Sequence, residues 1–190
     1  MLQPSKGKTL RKWGASFVTG SLFLVFWLIP GHGNAESLGV LANRADTIVV
    51  AVPLHKTCYW DKKIIKTRAL LKVVKVIAGK ISKREISVIY DGGVVGKIGL
   101  KVTRGVRLPL GQKDVLFLIG QGPPYTILNG MGGIFFVSPS PTGEVVIPAE
   151  EVFCIPGLTV KSLKNGVTSS GSLGLKEFID KIHSLRGDQP

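Results

Sequence analysis

Two neighbouring β-patterned segments between Ala45 and Gly79 constrain the fold of this chain most strongly. The first, Thr47 to Val52, is a nearly continuous apolar run, and the second runs from Ile65 to Ile77. The second segment alternates over its first nine residues, with Ile65, Thr67, Ala69, Leu71 and Val73 on one face and Lys66, Arg68 and Lys72 on the other. A period of two predicts a strand with one buried face. The two segments therefore predict a hairpin around which the remaining short elements are arranged.

The alternation of the second segment reverses near its end. Val74 and Val76 oppose Lys75, whereas the apolar positions before Val73 have the opposite phase. One extra residue in a strand shifts the phase in this way and bends the strand. The sequence therefore predicts a β-bulge at Val73 and Val74.

Several short apolar segments with Gly or Pro turns follow the hairpin and predict an antiparallel barrel or sandwich. They are residues 85–90, 115–119, 125–128, 133–138 and 144–147. The run Val115 to Ile119 is apolar throughout, which predicts a central strand buried on both faces. Asn129-Gly130 predicts a hairpin turn. The fold class is thus mainly β, with helices at its flanks.

Two helices are predicted at the flanks of the β-rich region. Residues 37–44 predict a short helix, and residues 173–186 predict an amphipathic helix with Ser172 as its N-cap and Gly187 after its last residue. The apolar positions of the second helix recur at helical spacing: Leu175, Phe178, Ile179, Ile182 and Leu185. We expect this helix to pack one face on a β-barrel.

The first 35 residues have the pattern of a signal peptide. Four basic residues precede an apolar stretch from Phe17 to Ile29, and Gly33-Asn34-Ala35 supplies small residues for cleavage after Ala35. An uncleaved membrane anchor is the alternative, because Trp13 to Ile29 carries no charge. Both interpretations predict export by the Sec pathway to the periplasm or beyond, or display from the inner membrane. Residues 36–190 then form a single domain.

The chain is strongly basic, with 25 Lys and Arg against 12 Asp and Glu and a formal net charge of +13. Outside the cytoplasm, such a charge favours an acidic protein or an anionic envelope polymer as partner. A solvated basic surface that only aids solubility is the alternative. The two cysteines, Cys58 and Cys154, would lie in an oxidising compartment, so we expect one disulfide between them; two separate thiols remain the alternative.

A basic stripe beside two aromatic residues is the candidate binding site. Its members are Tyr59, Trp60, Lys62, Lys63, Lys66, Arg68 and Lys72. No acidic residue lies between Lys62 and Arg84, so the stripe predicts either an anion-binding surface or a polar outer strand face that discourages edge pairing.

Catalytic and metal chemistry are not predicted. His55 and Cys58 have the spacing of two zinc ligands, but few other His and Cys residues could complete such a site. We expect no enzyme activity, no metal and no cofactor.

The opening of the exported part resembles netrin-type modules and tissue inhibitors of metalloproteinases. The resemblance covers roughly residues 38–119, and its motifs are the stretches Ala45 to Val52 and Val73 to Lys80. It implies a five-stranded OB-type Greek-key barrel with packed helices. Those inhibitors use a cysteine at the mature N-terminus, whereas cleavage after Ala35 would leave Glu36 there.

These features together predict an exported, non-enzymatic binding module that contacts a protein or an anionic polymer through the basic, aromatic-tipped hairpin. A protease-inhibitor-like module is the alternative. A nucleic-acid-binding OB domain is less favoured, because the chain lacks a series of aromatics for base stacking. Membrane contact is expected only if the N-terminal segment stays uncleaved.

Overall fold

A computed structural model of the chain describes residues 37–154, with the Cys154 side chain excepted, and residues 173–187. The predicted leader, its cleavage site after Ala35 and the predicted N-cap Ser172 lie outside these residues. The described residues contain no helix that is long and apolar enough to cross a membrane.

The structure is mainly β, with an open antiparallel sheet and a C-terminal helix. The strands are β1 Thr47–Asp61, β2 Ile64–Ala78, β3 Glu85–Asp91, β4 Gly93–Val95, β5 Ile98–Leu100, β6 Asp114–Ile119, β7 Thr126–Ile127, β8 Ile134–Ser140, β9 Gly143–Pro148 and β10 Leu173–Gly174. The α-helices are α1 Leu38–Arg44, α2 Ala149–Cys154 and α3 Leu175–Arg186, and Gly130–Gly133 forms a 3-10 turn. The main sheet has the order β10-β9-β8-β6-β1-β2-β3, with β7 also on β6, while β4 and β5 form a separate hairpin.

The long β1–β2 hairpin bends at irregularities in its register. Val50 pairs with Lys75 and Ala51 pairs with Val73, so Val74 is an extra residue on β2. The predicted bulge is therefore confirmed. Another shift leaves Leu54 as the extra residue on β1. Beyond this shift, Lys56 and Cys58 are opposite the buried residues Ala69 and Thr67 of β2. They therefore lie on the inner face of the hairpin.

Two apolar cores lie on opposite faces of the central strands. The inner core includes Val49, Ala51, Ala69, Leu71, Leu116, Leu118, Ile134 and Phe136. The second core joins the opposite face to α1 and α3 and includes Leu41, Ile48, Val50, Val115, Phe117, Phe178, Ile179 and Ile182. Strand β6 contributes to both cores, which confirms the prediction that residues 115–119 form a central strand buried on both faces.

The β7 region lies between β6 and β3. Strand β7 pairs with the end of β6, and Tyr125, just before it, makes an isolated parallel bridge to Val88 of β3. The Ile89 N–H donates to the Tyr125 carbonyl at 2.9 Å, and the Tyr125 N–H donates to the Ser87 carbonyl at 2.9 Å. This bridge covers part of the exposed edge of β3.

The prediction of a hairpin at Asn129-Gly130 is wrong. Asn129 has a left-handed φ of 55°, and the chain then enters the 3-10 turn instead of folding back on itself. Strands β7 and β8 both pair with β6, at different points along it. Two consecutive residues with positive φ are typical of a type I′ hairpin turn. Here they instead connect two strands that both pair with β6.

Both predicted helices are present at the flanks. Ser37 caps α1, because its hydroxyl accepts from the Val40 N–H at 3.4 Å. Helix α3 begins at Leu175, two residues later than predicted, and ends before Gly187, whose φ of 70° provides the predicted stop. The Arg186 Nη1 atom donates to the carbonyl oxygens of Ala42 and Ala45 at 2.6 and 2.9 Å, so α3 also binds the C-terminal end of α1.

Candidate functional site

The distal half of the β1–β2 hairpin carries the predicted site residues. Strand β1 pairs with β6 only from Thr47 to Ala51, and the remainder of β1 pairs with β2. Lys62 and Lys63 form the exposed turn, with Lys62 at a left-handed φ of 55°. The turn therefore presents two neighbouring cations at the end of the hairpin.

The outer face of the hairpin carries the alternating basic residues. Arg68 and Lys72 are exposed and Lys66 is half-buried, whereas the intervening Thr67 and Leu71 are buried. The predicted assignment of these cations to one outer face is confirmed. We call the five cations Lys62, Lys63, Lys66, Arg68 and Lys72 the basic stripe.

Acidic residues on the adjacent strands partly compensate the basic stripe. Lys66 Nζ lies 2.6 Å from Asp61 Oδ2, and this contact raises the pKa of Lys66. In the register of β2 with β3, Lys66 is opposite Asp91 and Lys72 is opposite Glu85. Directly opposed side chains lie close enough to interact. The positive charge of this face is therefore smaller than the sequence of β2 alone suggests, because β1 and β3 contribute acidic residues.

The structure places the two predicted aromatic residues on different faces. Tyr59 is opposite Lys66, and the Arg68 guanidinium carbon lies 5.7 Å from the centre of the Tyr59 ring, a cation–π distance. Trp60 is opposite Ile65, whose side chain is on the inner face, and 46% of Trp60 is exposed. Tyr59 thus lies on the same outer face as Lys66 and Arg68 of the basic stripe, whereas Trp60 lies on the inner face of the hairpin.

The inner face of the hairpin holds a different set of polar groups. Cys58 Sγ lies 3.3 Å from Thr67 Oγ1, and the Thr67 hydroxyl donates to the Gly92 carbonyl at 2.5 Å. The next residue, Gly93, has φ +131°, and a Cβ there would lie 2.6 Å from both Cys58 Sγ and Thr67 Oγ1. Only glycine fits this close approach of the chain to the hairpin.

A cleft of about 790 Å³ opens beside this inner face. Its walls come from β1 and β2, from the β4–β5 hairpin, from the loop at residues 101–109 and from Phe153 of α2. Lys56, Cys58 and Tyr90 lie on the hairpin side, and Lys101 and Arg107 lie on the loop side. The volume is typical of a site that encloses a small ligand.

A buried carboxyl group lies near Lys56. Asp114 is fully buried, and neither of its oxygens has a hydrogen-bond partner among the described residues. Burial raises the pKa of Asp114 well above its usual value, and burial lowers the pKa of Lys56. Burial also raises the pKa of Tyr90 to about 12, so this phenol stays protonated at neutral pH. Of these three groups, Lys56 and Tyr90 line the cleft, where the ammonium can attract an anion and the phenol can donate a hydrogen bond.

Cys58, one of the two residues of the predicted disulfide, is a half-buried free thiol in this structure. The side chain of Cys154 lies outside the described residues, so the pairing stays a prediction. His55 and Cys58, which have the spacing of zinc ligands, lie on opposite faces of β1, and His55 Nε2 contacts Thr57 Oγ1 at 3.1 Å.

The cleft was not predicted from the sequence. Lys56, Tyr90, Arg107 and Phe153 are far apart along the chain, and no motif connects them. The nearest sequence signal is Asp114, a carboxylate at the start of a continuously apolar run, which does not line the cleft but interacts electrostatically with Lys56 in its wall. A charged residue in a central strand is costly unless it has a partner, so it indicates a special environment.

Comparison with known proteins does not assign this chain to a functional family. No family model matches it, and no solved structure matches it. Over 117 residues it is 32% identical to the Proline–tRNA ligase of Flavobacterium johnsoniae, a match that covers 58% of this chain and 22% of that protein. The chain thus spans less than a quarter of the length of that curated relative.

Proposed function

We propose that this protein is an exported, non-enzymatic binding module of the netrin-like OB type, which binds an anionic partner through the end of its β1–β2 hairpin. The partner is an acidic protein surface or an anionic polymer of the cell envelope. The observation that carries the proposal is the exposed turn cations Lys62 and Lys63, beside Arg68 stacked on Tyr59.

The strand connections support an OB-type barrel as the finer architecture. The path β1-β2-β3 continues through the Val88–Tyr125 bridge to β7, which pairs with β6, and β6 returns to β1. This route involves five strands, with one parallel contact of a single residue. An OB-fold is a five-stranded, partly open Greek-key barrel, and such a limited contact fits its partly open side.

The geometry of the turn suits recognition by charge. Lys62 and Lys63 extend from the end of the hairpin, so a long polymer could reach them without a shaped pocket. Arg68 adds a planar guanidinium group, whose fixed donors match carboxylate, sulfate and phosphate oxygens. Its position over the Tyr59 ring restricts its motion and presents it beside the turn. Together the three cations offer separate contacts to a partner that carries repeated anionic groups.

The test measures the affinity of the purified protein for dextran sulfate at several salt concentrations. We expect the triple variant Lys62→Gln, Lys63→Gln, Arg68→Gln to bind at least about tenfold more weakly and with a shallower salt dependence. The matched control is Lys75→Gln, Lys80→Gln, Lys83→Gln, which removes the same charge from other exposed positions. Equal losses in the two variants would show that net charge alone drives binding and would overturn the site.

A further inference from the structure

We propose that the cleft beside the inner face of the β1–β2 hairpin binds a single-chain anionic amphiphile, with its apolar chain along the loop walls and its carboxylate or phosphate head at Lys56. This site is separate from the basic stripe, which lies on the outer face of the same hairpin. Binding in the cleft does not depend on the proposed polymer-binding function.

The walls of the cleft expose apolar side chains. Val94, Leu100, Val102 and Phe153 all line it, with 63%, 36%, 38% and 38% of their surfaces exposed. They come from three separate parts of the chain: the β4–β5 hairpin, the loop after it and α2. A concentration of exposed apolar residues around one cleft indicates a ligand that removes them from water. A flexible acyl or alkyl chain can adapt to apolar side chains spread over an open cleft.

The charges around the cleft favour an anionic head group. Lys56, Lys101 and Arg107 line it, and Asp91 is the one acidic residue among its described lining residues. Arg107 stacks over Phe153 at 4.5 Å, so a cation lies directly beside an apolar wall. A cation in a partly buried position attracts an anion more strongly than one surrounded by water. Lys56, half-buried in the hairpin wall, meets that condition.

Polar groups beside Lys56 complete the site for the head. The Tyr90 hydroxyl lies on the same side of the cleft as Lys56 and can donate a hydrogen bond, whereas the Cys58 thiol is already hydrogen-bonded to Thr67. The carboxyl group of Asp114 interacts electrostatically with Lys56 but forms no hydrogen bond with it. The Lys56 ammonium therefore keeps donors for a bound oxyanion.

The test measures binding of four probes to the purified protein by calorimetry, below the concentration at which the probes form micelles. Dodecanoate and dodecyl phosphate carry the proposed chain and head. Dodecyltrimethylammonium has the same chain with a cationic head, and butyrate has the carboxylate with a short chain. We expect one or both anionic amphiphiles to bind at least about tenfold more tightly than either control, since each buried methylene contributes up to about fourfold in affinity.

Two pairs of variants locate the site. We expect Lys56→Met to weaken binding of the anionic amphiphile by about tenfold, because it removes a charged hydrogen bond, while Lys75→Met changes it less than twofold. Likewise, Val102→Ser should weaken binding several-fold and Val74→Ser should not, although both valines are exposed. Thermal unfolding of each variant checks that it is folded.

Each outcome of these measurements either supports the amphiphile site or overturns it. Preference for one anionic amphiphile supports the proposal and identifies the head group. Equal binding of the cationic and anionic amphiphiles would overturn it, since only apolar adsorption would remain. Absence of binding would overturn it as well. Loss of dodecanoate binding in the Lys62, Lys63 and Arg68 triple variant, with Lys56→Met unaffected, would overturn it by assigning the anion to the basic stripe.

Discussion

The outer and inner faces of the β1–β2 hairpin differ in the surroundings of their charged groups, both in the acidic residues nearby and in their exposure to water. On the outer face, Lys66 and Lys72 have acidic residues opposite or beside them, and the turn adds two exposed cations. On the inner face, Lys56 is half-buried in the wall of a cleft, and it interacts electrostatically with Asp114, which is fully buried. One hairpin thus offers a solvent-exposed charged surface and a partly desolvated site. Surface charge suits an extended polymer, whereas the cleft suits a small amphiphile.

The largest effect should come from the close packing at Gly93. Gly93→Ala places a methyl group 2.6 Å from Cys58 Sγ and Thr67 Oγ1 at a φ that disfavours any side chain. We expect a loss of roughly 2–4 kcal/mol in the free energy of unfolding, measured by urea denaturation. Gly99→Ala is the control, since its Cβ would make ordinary contacts at 3.6 Å and it should change stability little. Equal effects would contradict a special role for Gly93.

The buried carboxyl group should make stability depend on pH. The pKa of Asp114 is raised in the folded protein, so the folded state holds a proton that the unfolded state releases above the ordinary pKa of aspartate. This destabilises the folded state increasingly as pH rises from that value toward the folded pKa. The stability of Asp114→Asn relative to the parent protein should therefore increase steadily as the pH rises from 4 to 8, measured by urea denaturation.

The exposed Asp180→Asn in α3 is the control for this measurement, and we expect its difference from the parent protein to stay nearly constant over the same pH range. A constant difference for Asp114→Asn as well would mean that the buried carboxyl group titrates alike in the folded and unfolded states, contrary to its buried environment.

The smallest effect concerns the compensation of the basic stripe. Asp61→Asn removes the carboxylate that binds Lys66, so we expect about two- to threefold tighter binding of dextran sulfate at low salt. The gain should vanish at high salt. Glu144→Gln, which removes a carboxylate bound to Lys113 in another part of the sheet, is the control. An equal gain in both variants would indicate a general change in net charge.

The outer face could be predicted from sequence, because its information is local. Alternation over Ile65 to Val73 assigns Lys66 and Arg68 to one face, and the phase reversal indicates the bulge at Val74. The acidic residues opposite Lys66 and Lys72 come from β3, and the pairing register with β3 is not encoded in β2 alone. Tyr59 and Trp60 are predicted as one aromatic tip, but as consecutive residues of a strand they lie on opposite faces, so the local alternation already separates them.

The cleft could not be predicted, because it depends on contacts between distant segments. The β4–β5 hairpin, the loop at residues 101–109 and α2 are distant in sequence and lie next to one another only in the folded structure. Likewise, Asn129-Gly130 has the local preference for a hairpin, but pairing of both β7 and β8 with β6 determines the path of the chain. Local patterns identified strands and helices here, whereas long-range pairing determined which side chains meet.

The most direct test of the two-face account is a competition measurement. The affinity for the tighter-binding anionic amphiphile, dodecanoate or dodecyl phosphate, is measured by calorimetry with and without saturating dextran sulfate. We predict that the amphiphile and dextran sulfate bind together, with the affinity for the amphiphile changed by less than about threefold. We also predict that Lys56→Met weakens binding of the amphiphile only and that the Lys62, Lys63 and Arg68 triple variant weakens binding of dextran sulfate only. Mutually exclusive binding, or one variant that removes both ligands while the protein stays folded, would contradict the account.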